Sequence, residues 1–160
     1  LELIKLSEHF TVGDLTRTNR AEYQKANRIL TEGQIQTLRN LAGLLEVVQD
    51  VLCVPILISS GYRSHLLNVA VGSSSKSQHL LCEAADFVPK EISVADAFRT
   101  LWKEVREGRI HVGQLIHETA ERLYGETSWV HISLGSPWRD LSKCNQVLRM
   151  EAGKYTLLNK

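Results

Sequence analysis

At 160 residues and 43% hydrophobic content, the chain is long and apolar enough to form a globular domain, which we expect to cover residues 1–160. Its 19 basic and 18 acidic residues nearly cancel and are well mixed, so no basic block indicates a nucleic-acid partner. No apolar run reaches the ~18 residues of a membrane span, and the N-terminal LELIKLSEHF lacks the apolar region of a secretory signal peptide.

Helices are predicted for most of the first fifty residues. The segment 12–18 fits a short helix, and the polar segment 19–28 is expected to be partly helical. A clear helix follows Thr31, because TEGQ has the spacing of a capping box. Apolar residues then recur at steps of three and four and form one stripe, which consists of Leu38, Leu41, Leu45, Val48 and Leu52.

Two short strands are predicted in the middle of the chain. ILISS (56–60) is β-rich and is expected to end at Gly61, and AADFVP (84–89) is stopped by Pro89. Ser93 then caps a further helix. The other features predicted here are a helical turn at 64–71, a flexible loop at 72–77, and an inner helix face of Val94, Ala97, Phe98, Leu101 and Val105.

The last third of the chain is predicted to be β-structure. QLIHE (114–118) and WVHISL (129–134) fit two strands separated by a polar hairpin loop, and 145–158 fits a closing hairpin that turns at 151–153. Helices early and antiparallel strands late predict the α+β class.

The three cysteines, Cys53, Cys82 and Cys144, are odd in number and widely spaced. No CxxC pair is present, which argues against a thiolate zinc knuckle or a thioredoxin-like redox pair. We expect three reduced thiols, some of them buried as small hydrophobic side chains.

Two histidines and an aspartate form a possible ligand set. His79 follows a Gly/Ser loop, Asp86 lies in the second predicted strand, and His131 lies in a later strand with Trp129 and Ser133 on the same face. Two imidazoles and one carboxylate are a recognised ligand set for catalytic zinc, and an aspartate among apolar residues is costly to bury without a partner. From spacing alone, each histidine is equally compatible with a hydrogen-bonded core residue.

Several motifs occur in an order that resembles a known family. They are ISSGYRS (58–64), the LN at 67–68, VGSSSKSQHLLCEAADF (71–87), QLIHE (114–118) and WVHIS (129–133). Together they resemble the D-alanyl-D-alanine carboxypeptidase-type zinc peptidases, which cleave peptidoglycan and share a fold with the hedgehog signalling domain. The opening LSEHFTVGDLTRT resembles the start of short, often phage-encoded members. The resemblance implies helices packed on one face of a mostly antiparallel sheet.

The resemblance also implies roles for individual residues. His79, Asp86 and His131 would bind Zn²⁺, and Glu118 would act as general base. The positions of Arg63 and Ser77 match the substrate groove, although a surface ion pair and a turn residue are the alternatives for these two, and Gln78 and Ser133 are weaker candidates. By strand alternation, Gln114, Ile116 and Glu118 share one face while His117 points to the other.

Two positions between the first two ligands raise separate questions. The family usually has glycine where this chain has Cys82, which suggests a positive φ or a close backbone approach there. A thiol at this place would be a potential extra ligand or a site of oxidation. Glu83 is expected to be solvated.

The function implied is zinc-dependent hydrolysis of a peptide bond in the peptidoglycan stem peptide, as a carboxypeptidase or an endopeptidase. We expect a monomer that acts at the bacterial cell wall, encoded by a phage or prophage and without its own signal peptide. The alternatives are a non-catalytic hedgehog-like zinc-binding module and a structural phage protein with a vestigial site. Enclosure of the metal by four protein ligands would favour the module.

Overall fold

A computed structural model of the chain describes residues 3–122, 125–135 and 144–158. None of the helices in these ranges is long and apolar enough to cross a membrane. The helices are α1 (Val12–Thr16), α2 (Ala21–Gln24), α3 (Glu32–Leu52), α4 (His65–Ala70) and α5 (Val94–Arg106), and the strands are β1 (Ile56–Ser60), β2 (Ala84–Pro89), β3 (Gln114–Arg122), β4 (Gly125–Ser133), β5 (Gln146–Glu151) and β6 (Lys154–Leu157).

The strands form a six-stranded sheet in the order β1-β2-β4-β3-β5-β6. β3 pairs antiparallel with β4 and parallel with β5, and β5 pairs antiparallel with β6. This arrangement confirms the predicted α+β class with a mostly antiparallel sheet, and it is consistent with the hedgehog-like fold that the resemblance implies. The parallel pairing of β3 with β5 was not predicted.

By backbone contacts the chain forms two compact units, each built from separated stretches: 1–47 with 58–85, and 48–57 with 86–160. The polypeptide therefore passes between the units three times, at 47–48, 57–58 and 85–86. The expectation of one domain over 1–160 stays a prediction.

In the first unit, local side-chain chemistry fixes the start of α3 and the chain around Gly61. The predicted capping box at Thr31 is confirmed, since Gln34 N donates to Thr31 Oγ1 (3.2 Å) and Thr31 N donates to Gln34 Oε1 (2.9 Å). The buried Asn27 donates to Tyr62 O (2.9 Å) and accepts from Ser64 N (2.7 Å). These bonds hold the backbone on both sides of Arg63.

In the second unit, α5 packs against β3 and β4 and covers one face of the sheet. Ser93 caps α5 as predicted, accepting from Asp96 N at 3.0 Å. The ring of Phe98 lies 5.4 Å from that of His117, which confirms that His117 points toward α5. Most of the strand residues on this face are buried and apolar, namely Leu115, Val130, Ile132 and Val147.

The two hairpins differ in how well the sequence predicted them. The segment between QLIHE and WVHISL was expected to be a loop, but β3 and β4 stay paired as far as Arg122 and Gly125. This expectation was wrong because polar side chains such as Thr127 are compatible with strands that lie exposed to solvent. The β5–β6 hairpin is confirmed, and Ala152 and Gly153 both have positive φ (48° and 75°), as a tight two-residue turn requires.

Candidate metal centre

His79 is held in a fixed orientation by its own turn. It lies in a 3-10 turn, Gln78–Leu81, whose N-cap Ser77 accepts a hydrogen bond from His79 N at 3.3 Å. The buried ring donates from Nδ1 to the carbonyl oxygen of Gly61 at 2.7 Å. Because a carbonyl oxygen can only accept, this bond places the proton on Nδ1. Nε2 of the neutral ring is then free of its proton and suited to bind a metal.

The orientation of His79 depends on the position of Gly61, whose carbonyl it contacts. A Cβ at Gly61 would lie 2.3 Å from the carbonyl oxygen of Leu15. We expect Gly61→Ala to lower the free energy of unfolding by about 1–3 kcal/mol, the cost of forcing atoms into a packed region. Urea unfolding followed by circular dichroism measures this change.

Gly43→Ala is the matched control for that substitution. Gly43 lies inside α3, and among the described residues no atom would meet its added Cβ within 4 Å. We expect the control to raise the free energy of unfolding by about 0.5–1 kcal/mol, because alanine favours the helix over glycine. Equal effects of the two substitutions would contradict the proposed tight approach at Gly61.

Asp86 on β2 and His131 on β4 form a buried pair. Their exposed fractions are 6% and 7%, and His131 Nδ1 lies 2.8 Å from Asp86 Oδ1. A carboxylate buried to this extent needs a hydrogen-bond donor or a cation to offset its lost hydration. The imidazole N–H supplies the donor. Zinc bound by both atoms would take the place of this proton, because a histidine nitrogen must be deprotonated to bind a metal.

The structure brings His79 together with this pair. One ligand atom from each of His79, Asp86 and His131 lies within 4.8 Å of the others, and all three residues are buried. Two imidazole nitrogens and one carboxylate oxygen have the donor chemistry of catalytic zinc sites. This group could therefore hold a metal ion.

Glu118 lies beside His131 on the neighbouring strand. It pairs with Trp129, while Ile116 pairs with His131, so Glu118 and His131 are diagonal neighbours. Paired residues point to the same face of a sheet, and diagonal neighbours lie about 7–8 Å apart. The half-buried Glu118 therefore lies on the same face of the sheet as His131, diagonally across from it on the neighbouring strand. Its role as general base stays a prediction.

The two predicted substrate-binding residues both contact the segment of His79. Arg63 N donates to His79 O at 3.1 Å, and Arg63 Nε donates to Ser60 Oγ at 2.8 Å. Ser77 caps the turn of His79, as the alternative of a turn residue also predicts. Binding of substrate by Arg63 and Ser77 stays a prediction.

The weaker candidates and Glu83 are all buried. Ser133 Oγ accepts from Gln114 N at 2.9 Å, which is a structural bond between neighbouring strands. Gln78 is 5% exposed, and its Nε2 has no hydrogen-bond partner among the described residues. The expectation that Glu83 is solvated was wrong, because the residue is only 9% exposed beside a buried turn.

Cys82 ends the turn that carries His79 and has the left-handed conformation, with φ 60° and ψ 18°. This conformation costs an L-residue about 1–2 kcal/mol, which explains why glycine suits the position. The side chain is fully buried, and burial raises the pKa of its thiol to about 12. The thiol is therefore neutral at physiological pH. As predicted, Cys53, Cys82 and Cys144 are all free, and Cys82 is buried.

Comparison with known proteins adds one finding. The family model described as Peptidase M15 matches residues 8–133, a range that contains His79, Asp86, Glu118 and His131. The matched range ends with β4, so β5 and β6 lie outside it. No match is found among curated proteins.

Proposed function

The chain belongs to the peptidase M15 family, and from this premise we propose that it is a zinc-dependent hydrolase of the peptidoglycan stem peptide. The observation that carries the proposal is the convergence of His79, Asp86 and His131 within 4.8 Å on the sheet face that also bears Glu118. Three protein ligands leave room for a water molecule in a four-coordinate site, as catalysis requires.

The three ligand residues suit zinc in their donor atoms and in the hydrogen bond that orients His79. The ring of His79 is oriented by the carbonyl oxygen of Gly61, and zinc-binding histidines in proteins usually donate their second nitrogen in this way. Zinc bound by His79, Asp86 and His131 would polarise a substrate carbonyl and lower the pKa of a water molecule to about 7.

Glu118 would act as the general base and then as the general acid of the reaction. Its carboxylate accepts a proton from the attacking water and then gives it to the amine that leaves when the peptide bond breaks. The position supports this role, because Glu118 lies on the same face of the sheet as His131, diagonally across from it on the neighbouring strand. A strand residue paired on both sides also has little freedom to move away.

Arg63 and Ser77 would border the substrate. A guanidinium binds a carboxylate through two parallel hydrogen bonds, which suits the anionic end of a stem peptide. The backbone of Arg63 is bonded to that of His79, and its guanidinium donates to Ser60 Oγ at 2.8 Å, so the residue is anchored beside the ligand segment. We propose action at the bacterial cell wall, with a phage or prophage origin, as either a carboxypeptidase or an endopeptidase.

The non-catalytic alternative is less well supported. A closed structural site requires a fourth protein ligand, for which the sequence offered Cys82 as a potential extra ligand. The metal-binding group found in the described part of the chain consists of His79, Asp86 and His131 and does not include Cys82. We therefore favour the enzyme.

Digestion of purified peptidoglycan tests the proposal directly. We expect the zinc-loaded protein to release fragments with new peptide termini, which mass spectrometry of the muropeptides identifies together with the bond that is cut. Protein dialysed against a chelator is the control, and it should regain activity when zinc is restored. Intact stem peptides after incubation with folded, zinc-loaded protein would refute the proposal.

A further inference from the structure

A continuous row of side chains crosses four strands on the face that bears Glu118. Trp129 on β4 pairs with Glu118 on β3, Glu118 pairs with Met150 on β5, and Met150 pairs with Tyr155 on β6. Paired residues point to the same face, so Tyr155 and Glu118 face the same side of the sheet. Their Cα atoms are two strand spacings apart, about 10 Å, and the long tyrosine side chain can span much of that gap.

The two faces of this part of the sheet are covered differently. The face of His117 packs against α5, as described above. On the face of Glu118, the side chain of Tyr155 is 59% exposed and that of Leu157 is 43% exposed, while Met150 is half-buried. An aromatic and an aliphatic side chain thus remain accessible on the sheet face that bears the proposed catalytic carboxylate.

Electrostatics supports the same placement. The pKa of the Tyr155 phenol is raised, mainly because its ring is partly buried and to a smaller extent because of the negative charges of Glu118 and Asp86. Both carboxylates therefore act on the phenol across the sheet. The hydroxyl keeps its proton at neutral pH and is available as a hydrogen-bond donor.

We propose that Tyr155 is a substrate-binding residue of this site, whose hydroxyl donates a hydrogen bond to a carbonyl oxygen of the stem peptide positioned beside Glu118. The inference rests on the proposed function and extends it to the β5–β6 hairpin, outside the residues matched by the family model. Tyrosine suits this task because its ring covers apolar parts of a peptide while its hydroxyl binds a polar atom.

Tyr155→Phe is the decisive substitution, because it removes the hydroxyl and keeps the ring. With a soluble disaccharide-pentapeptide as substrate, we expect KM to rise about 2- to 10-fold, the effect of losing one neutral hydrogen bond, while kcat changes less than 2-fold. Thr156→Ala is the matched control, since Thr156 is an exposed neighbour on β6 that points to the opposite face. It should leave both constants unchanged.

Wild-type enzyme and binding measurements separate the possible failures. If the zinc-loaded wild-type protein cleaves no stem peptide, the proposed function is wrong, and the inference falls with it. If the wild type cleaves but Tyr155→Phe has an unchanged KM, only the assignment of Tyr155 is wrong. Calorimetric binding of the same disaccharide-pentapeptide to zinc-loaded Glu118→Gln, with and without Tyr155→Phe, should show the same 2- to 10-fold weakening without any turnover.

Discussion

Glu118→Gln is expected to lower kcat for stem-peptide hydrolysis by about 10²- to 10⁴-fold, the usual contribution of a positioned general base. Glutamine has nearly the same size and can still form hydrogen bonds, but it cannot take the proton of the attacking water. We expect zinc content and KM to stay close to those of the wild type, since Glu118 is not one of the three converging ligand residues. Steady-state kinetics and elemental analysis of the same preparation measure these quantities.

Glu121→Gln is the control for this substitution. Glu121 is an exposed carboxylate three residues further along β3, and strand alternation directs it to the opposite face. Its loss removes the same charge from the same strand and should leave kcat unchanged. A Glu118→Gln enzyme with wild-type kcat would show that another group takes the proton.

Asp86→Asn is expected to abolish the stabilisation that zinc gives to the folded protein. At a free zinc concentration 100 times its dissociation constant, an ion bound only to the native state adds about 2.7 kcal/mol to the free energy of unfolding. Asparagine is a poor zinc ligand, yet it can still accept the hydrogen bond from His131, so the substitution removes the negative ligand with little change of shape. Guanidinium unfolding with and without zinc measures the gain.

The same variant should lose hydrolytic activity together with its bound metal. Asp50→Asn, at an exposed position near the end of α3, is the control and should keep both the zinc-dependent gain and the activity. If Asp86→Asn gained as much stability from zinc as the wild type, the ion would bind elsewhere, and the convergence of His79, Asp86 and His131 would have another purpose.

Features governed by local chemistry were predicted well. The capping box at Thr31 and the cap at Ser93 depend on groups three residues apart, so sequence spacing alone locates both helix starts. The direction of His117 follows from strand alternation, which needs only the strand to be recognised. Spacing could not choose between metal ligands and core residues for the histidines; the resemblance to zinc peptidases made that distinction.

Features that depend on long-range pairing were missed. The parallel pairing of β3 with β5 joins strands separated by β4 in sequence, and no local pattern indicates which strands become neighbours. The nearness of Tyr155 to Glu118 follows only from that pairing and its register, so the hairpin was predicted while its place beside the site was not. The burial of Glu83 likewise depends on the packing around its turn rather than on its own polarity.

The position of β3 between β4 and β5 has a consequence for how the activity of this protein could change. A strand bonded along both edges is among the stiffest parts of a domain, so the carboxylate it carries cannot be repositioned without breaking two ladders. New substrate preferences would therefore arise in the segments that surround the site rather than in the strand that carries Glu118. The β5–β6 hairpin, with its two-residue turn and exposed outer strand, is the segment that can be exchanged at the lowest structural cost.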